Sequence, residues 1–152
     1  MLKHILVPLD GSERAERAIP YAIEIATPST KVTLLYVLEL PITPFLVSAS
    51  PPALPQQTEN YDLHRARRIE HAREYLRQAS SSFEGKAETI ETRVILGSDP
   101  AEKILDFSEA QTVDVIVMAT RGHSGIKWWF MGSVTQKVLQ AASCPVFVVP
   151  SP

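Results

Sequence analysis

Apolar positions along the chain alternate between short unbroken runs and longer stretches with helical spacing. HILVPL (4–9) is an unbroken run closed by the turn-and-cap cluster DGS. A run of that length fits a strand buried on both faces, as in a parallel sheet. In SERAERAIPYAIEIAT (12–27), Ala15, Ala18, Ile19, Ala22, Ile23 and Ile25 fall largely at helical spacing behind Ser12 as cap. Pro20 predicts a kink or a tightened turn within that helix. KVTLLYVLEL (31–40) predicts a second buried strand.

Leu40 to Gln57 breaks the pattern, with five of the twelve prolines. Proline is excluded from helix interiors and central strands, so 40–57 predicts a long loop, either a lid or a plain connection. Asn60 to Phe83 predicts a helix with Leu63, Ala66, Ile69, Leu76, Ala79 and Phe83 on one face. Its outer face carries Arg65, Arg67, Arg68, Arg73 and Arg77, offset by Glu70 and Glu74, without aromatic interleaving. Pairs such as Glu70–Arg73 and Glu74–Arg77 predict an ordinary solvated face rather than a nucleic-acid stripe. His64 and His71 lack a third ligand for a metal.

ETIETRVIL (88–96) predicts a strand that Gly97 ends. Asp99 as cap, Pro100 at the first helical position and Glu102 as partner in a capping box predict the helix that follows. VDVIVMAT (113–120), GSVTQKVLQAAS (132–143) and CPVFVVP (144–150) complete the chain as strand, helix and strand. Five strands alternating with four helices predict one α/β domain over 1–152, a doubly wound parallel sheet. Ligands of such sheets sit beyond the carboxyl ends of the strands, where strand order reverses.

Composition changes this picture little. The chain is 45% hydrophobic and 21% charged, with a net charge of -2, which gives no global reason for nucleic acid or an anionic membrane as partner. Cys144 is the single cysteine, so no internal disulfide forms. No apolar run approaches the roughly 20 residues of a membrane span, and the start is too short for a signal-peptide core. The expectation is a cytoplasmic protein.

Candidate chemistry concentrates in ATRGHSGIKWWFMGSV (119–134), the stretch after the fourth strand, which holds three of the six glycines and both tryptophans. Gly122, Gly125 and Gly132 clear side chains from a loop that leads into a helix starting Gly132–Ser133. A helix start offers unpaired N–H groups and the positive end of the dipole, which suits a phosphate. Arg121, His123 and Lys127 add positive charge, and Asp10 could accept from ribose hydroxyls across the switch point. Chain reversal alone would also use glycines. The phosphate-loop pattern GxxxxGK[ST] is absent, the dinucleotide fingerprint is missing after strand one, and GHSGI at 122–126 lacks one glycine of GxSxG. A serine hydrolase built on Ser124 and His123 is therefore disfavoured.

ILVPLDGS, VDVIVMATRGHSG, then GSVTQKVL and CPVFVVP occur in an order and spacing that resembles the universal stress protein family over essentially the whole chain. The family's nucleotide-binding branch carries Gly, two residues, Gly, nine residues, then Gly-Ser or Gly-Thr. Gly122 and Gly132–Ser133 match that pattern, and Ala119 replaces its first glycine. The resemblance implies strand order 3-2-1-4-5 with helices on both faces. It implies that Pro8, Asp10 and Val37 flank adenine and ribose, that Met118 and Ala119 line the nucleoside side, and that Gly122, Gly132, Ser133 and Val134 hold the phosphates. The implied ligand is ATP, with or without Mg²⁺, in a stress-response or regulatory module with no assigned catalytic or metal-binding residue and at most slow hydrolysis. The implied assembly is a homodimer through the edge strand 145–149. A dimeric interaction protein that has given up nucleotide is the alternative that Ala119 leaves open. Trp128, Trp129 and Phe130 fit core or dimer packing better than base stacking.

Overall fold

The computed structural model describes residues 1–40, 55–120 and 131–150, with the side chains of 55–59 excepted. The elements in chain order are β1 (His4–Leu9), α1 (Glu13–Glu16), α2 (Ala18–Ile25), β2 (Lys31–Leu38), α3 (Pro55–Ser80), a 3-10 turn (Ser81–Phe83), β3 (Thr89–Leu96), α4 (Pro100–Ala110), β4 (Val115–Ala119), α5 (Ser133–Ala141) and β5 (Val146–Val149). The five strands form one parallel sheet in the order β3-β2-β1-β4-β5.

Alternation along the strands splits the core into two layers. Ile5, Val7, Val32, Leu34 and Val117 face α1–α3, where Ala18, Ala22, Leu76 and Phe83 complete one cluster. Leu6, Leu35, Ile116 and Met118 face the other way onto Ala101, Ile104 and Val138 of α4 and α5. Each central strand therefore buries both faces, which is why its sequence reads as an unbroken apolar run.

Two helices differ from the sequence expectation. The helix expected over 12–27 is two, divided at Arg17, whose N–H reaches back to the Arg14 carbonyl at 3.2 Å. Pro20 has no N–H for the carbonyl of Glu16, and its ring crowds that carbonyl, so the helix restarts with proline in its first turn. The second helix begins at Pro55, inside the expected loop 40–57; residues 41–54 lie outside the described residues.

α3 is also longer than the sheet needs. Its 26 residues span about 39 Å, against about 26 Å for the eight-residue β3. Ala72, Leu76 and Phe83 are buried, whereas Leu63 is 53% exposed and Ala66 is exposed. The apolar face expected to continue through Leu63 and Ala66 therefore ends near Ala72, and the amino-terminal turns of α3 project past the carboxyl ends of the strands.

Candidate functional site

β1 and β4 are paired only at Ile5–Val115 and Leu6–Ile116, although both strands run on for three more residues. Pro8 stands in that unpaired part and has no N–H to give to a ladder. β1 stays in register with β2 over its full length, Pro8 opposite Leu35. The gap between β1 and β4 is the point where strand order reverses, and it opens into a cavity of about 530 Å³. That volume is within the ordinary range for small-molecule sites.

The cavity brings together most of the residues expected from sequence. Pro8 and Asp10 enter from β1, Val37 from β2, and Met118 and Ala119 from the end of β4. Gly132, Ser133 and Val134 enter from the start of α5. Gly122 lies outside the described residues, as do Arg121, His123, Ser124, Gly125, Lys127, Trp128, Trp129 and Phe130.

Asp10 is fixed by the turn that follows it. Its Oδ1 accepts from the Ser12 N–H at 2.9 Å and from the Ser12 hydroxyl at 2.6 Å. Ser12 in turn caps α1 by accepting from the Ala15 N–H at 3.1 Å. Gly11 between them has φ +85°, the left-handed region that favours glycine, and a Cβ there would stand 3.4 Å from the Tyr36 hydroxyl. Oδ2 of Asp10 makes no hydrogen bond among the described residues, and the carboxylate is exposed. It can accept from a ligand hydroxyl without giving up its hold on Ser12.

The start of α5 supplies the opposite chemistry. α1 and α4 have side-chain caps: Ser12 on the first, and Asp99 accepting from the Ala101 and Glu102 N–H groups on the second. α5 starts after Gly132 with no side-chain cap and no acidic residue in its first turn. Its leading N–H groups and the positive end of its dipole therefore remain available to an anion. Gly132 has φ -54° and ψ 147°, a conformation open to any residue. Backbone strain does not call for glycine there; a close approach of another group would.

Ala119 closes β4 in regular parallel pairing with Val149, and its methyl packs against the core layer shared with α1–α3. Thr112 is the one non-glycine residue with positive φ among the described residues, so the backbone at 119 carries no need for glycine.

Sequence reasoning missed Tyr36, Arg14 and Arg68, all of which line the cavity. The Tyr36 hydroxyl donates to the Asp10 carbonyl at 3.1 Å. Burial and the Asp10 charge push its pKa up, and the Arg68 guanidinium opposes that shift. The expected solvated face of α3 holds at Arg73 and Arg77, which pair with Glu70 at 3.5 Å and Glu74 at 2.6 Å. It fails at Arg68, which is half-buried and lines the cavity where the helix overhangs the sheet, while Arg67 is exposed at the rim of an adjoining cavity. The signal available in sequence was Arg68, which has no acidic residue three or four positions away on the helix.

Comparison with known proteins gives the class. The sequence model of the universal stress protein family matches residues 1–150. The chain is 32% identical over 153 residues to universal stress protein MJ0531 of Methanocaldococcus jannaschii, covering 100% of this chain and 84% of that protein. Among solved structures it resembles the hypothetical protein MJ0577, from the same organism, with a TM-score of 0.75 and 25% identity, over 100% of this chain and 98% of the other. A universal stress protein solved in complex with cAMP shares the fold at a TM-score of 0.66 and 22% identity, over 99% and 98% of the two chains. The chain belongs to the universal stress protein family.

Proposed function

We propose that the protein is a cytoplasmic adenine-nucleotide-binding regulator of the stress-response class, taking ATP with or without Mg²⁺. The observation that carries this reading is the uncapped start of α5 facing the same cavity as the spare oxygen of Asp10. One end suits a phosphate chain and the other suits ribose hydroxyls, while Pro8, Val37 and Met118 offer apolar surface for a base. The cAMP complex of a structural relative supports the same ligand class. Hydrolysis is slow at most, because fast phosphoryl transfer needs positioned metal ligands and a group that orients water. Asp10 and Glu39 are the carboxylates among the described lining residues, and Asp10 is assigned to ribose.

The working unit in this reading is a homodimer through residues 145–149. β5 is at an edge of the sheet, and Phe147 is 39% exposed beside the half-exposed ring of Tyr21, their centroids 5.8 Å apart. An apolar edge strand of this kind favours pairing with a second copy.

Denaturing the purified protein and separating the released small molecules by chromatography tests the ligand assignment. An adenine nucleotide at near-stoichiometric level is expected. A protein that releases none and takes up no added ATP would overturn it.

A further inference from the structure

A second cavity, of about 640 Å³, adjoins the first and shares Asp10, Tyr36, Leu38 and Arg68 with it. Its other lining residues include Gly11 and, from α3, His64, Arg67, His71 and Tyr75. Tyr36, shared by the two cavities, meets Tyr75 of the second edge to face, with centroids 5.9 Å apart. The charge balance of the second cavity is cationic, two guanidiniums against the single carboxylate of Asp10.

The arginines here differ from their neighbours on the same helix. Arg73 and Arg77 are neutralised by Glu70 and Glu74 one turn away. Arg67 and Arg68 form no ion pair among the described residues, and they occupy the stretch of α3 that extends beyond the strands. Glu16 approaches Tyr75 from α1, but it does not line the cavity. Unpaired guanidiniums in a concave site suit a phosphate, which they can bind through paired N–H groups.

We propose that this second cavity is an anion subsite of the nucleotide cleft, accepting a phosphate borne on the ribose of the bound adenine nucleotide. The inference rests on the nucleotide reading above. The start of α5 lines the first cavity alone, so the 5′ chain leads there. Asp10 stands on the shared wall, so a substituent on a ribose hydroxyl beside it leads into the second cavity. The Asp10 charge opposes a phosphate at that place, but Ser12 already engages one of its oxygens and Arg68 lies on the same wall. The ligand class is then an adenosine 2′,5′- or 3′,5′-bisphosphate unit, free or as part of a larger nucleotide.

The test is calorimetric titration of the full chain with AMP, adenosine 2′,5′-bisphosphate and adenosine 3′,5′-bisphosphate, in the wild type and in an Arg67→Gln/His71→Gln variant. Both substituted residues are exposed and neither lines the first cavity. One bisphosphate should bind about tenfold or more tightly than AMP, as charge-assisted hydrogen bonds produce. The variant should lose most of that advantage while its AMP affinity stays within about twofold, since neither residue contacts the first cavity. AMP binding with no gain for either bisphosphate would overturn the subsite alone, as would a gain that survives in the variant. Failure of both AMP and ATP to bind the wild type would overturn the nucleotide reading and the subsite with it.

Discussion

The hydroxyl of Ser12 donates to Oδ1 of Asp10 at 2.6 Å while accepting from the Ala15 N–H at 3.1 Å, so the cap of α1 and the carboxylate at the end of β1 form one unit. Asp10→Asn keeps an acceptor for Ser12 but offers a ribose hydroxyl a neutral partner. Asp10→Ala removes both and loosens the turn. Asparagine should therefore weaken ATP binding less than alanine, whose cost should reach about 1.5–3 kcal/mol, as for a lost hydrogen bond to a charged group. ATP should also bind more tightly than its 2′-deoxy analogue. Equal affinities for the two nucleotides, with a silent Asp10→Ala, would contradict the ribose role.

Gly132 has a backbone conformation that any residue can adopt, so Gly132→Val should fold. It should nevertheless abolish ATP binding by filling the approach to the α5 N–H groups. Ser133→Ala should cost about 0.5–1.5 kcal/mol if its hydroxyl meets a neutral partner, and more against a charged phosphate oxygen. Calorimetry on a folded Gly132→Val protein with unchanged affinity would remove the phosphate from this position.

Phe147 is on the edge strand with part of its ring exposed, which makes it a sensitive probe of dimerisation. Light scattering should report about twice the 16.8 kDa chain mass for the wild type. Phe147→Lys should shift the protein toward monomer, because pairing would bury an unmatched charge. A wild-type protein that remains monomeric at high micromolar concentration would refute the edge-strand dimer.

His4 supplies a pH test of the sheet's other end. Its Nε2 is 2.8 Å from the Thr33 hydroxyl and its Nδ1 is 3.2 Å from the Gln111 carbonyl, an arrangement that a neutral ring with Nδ1 protonated satisfies. Burial lowers its pKa. The unfolded chain therefore takes up this proton first as pH falls, so the His4 contribution is intact above about pH 6.5 and declines below it. Urea midpoints should drop between about pH 7 and 5 in the wild type, and the drop should be smaller in His4→Gln. Identical pH profiles for the two proteins would exclude this coupling.

Much of the sheet was legible because each central strand is apolar on both faces, and HILVPL or VDVIVMAT can hardly be placed elsewhere in a parallel sheet. The strand order was not carried by periodicity; it came through the family resemblance. Leu63 and Ala66 misled, since helical spacing records which face is apolar but not where the sheet beneath it ends. Pro8 was read as a site residue by resemblance, whereas its effect on β1–β4 pairing emerges only once the strands are neighbours. Tyr36 and Arg68 escaped for a related reason: they come from β2 and α3, and only the tertiary fold brings them to Asp10.

Amide-resolved NMR titration of the labelled protein with ATP tests the central claim most directly, because it reports ligand and location together. Saturable shifts are expected at the amides of Asp10, Val37, Met118 and Ala119 and at Gly132, Ser133 and Val134, with the far end of the sheet around His4 and Asp114 unchanged. A spectrum that ATP leaves untouched, or one whose shifts fall away from the carboxyl ends of the strands, would contradict it.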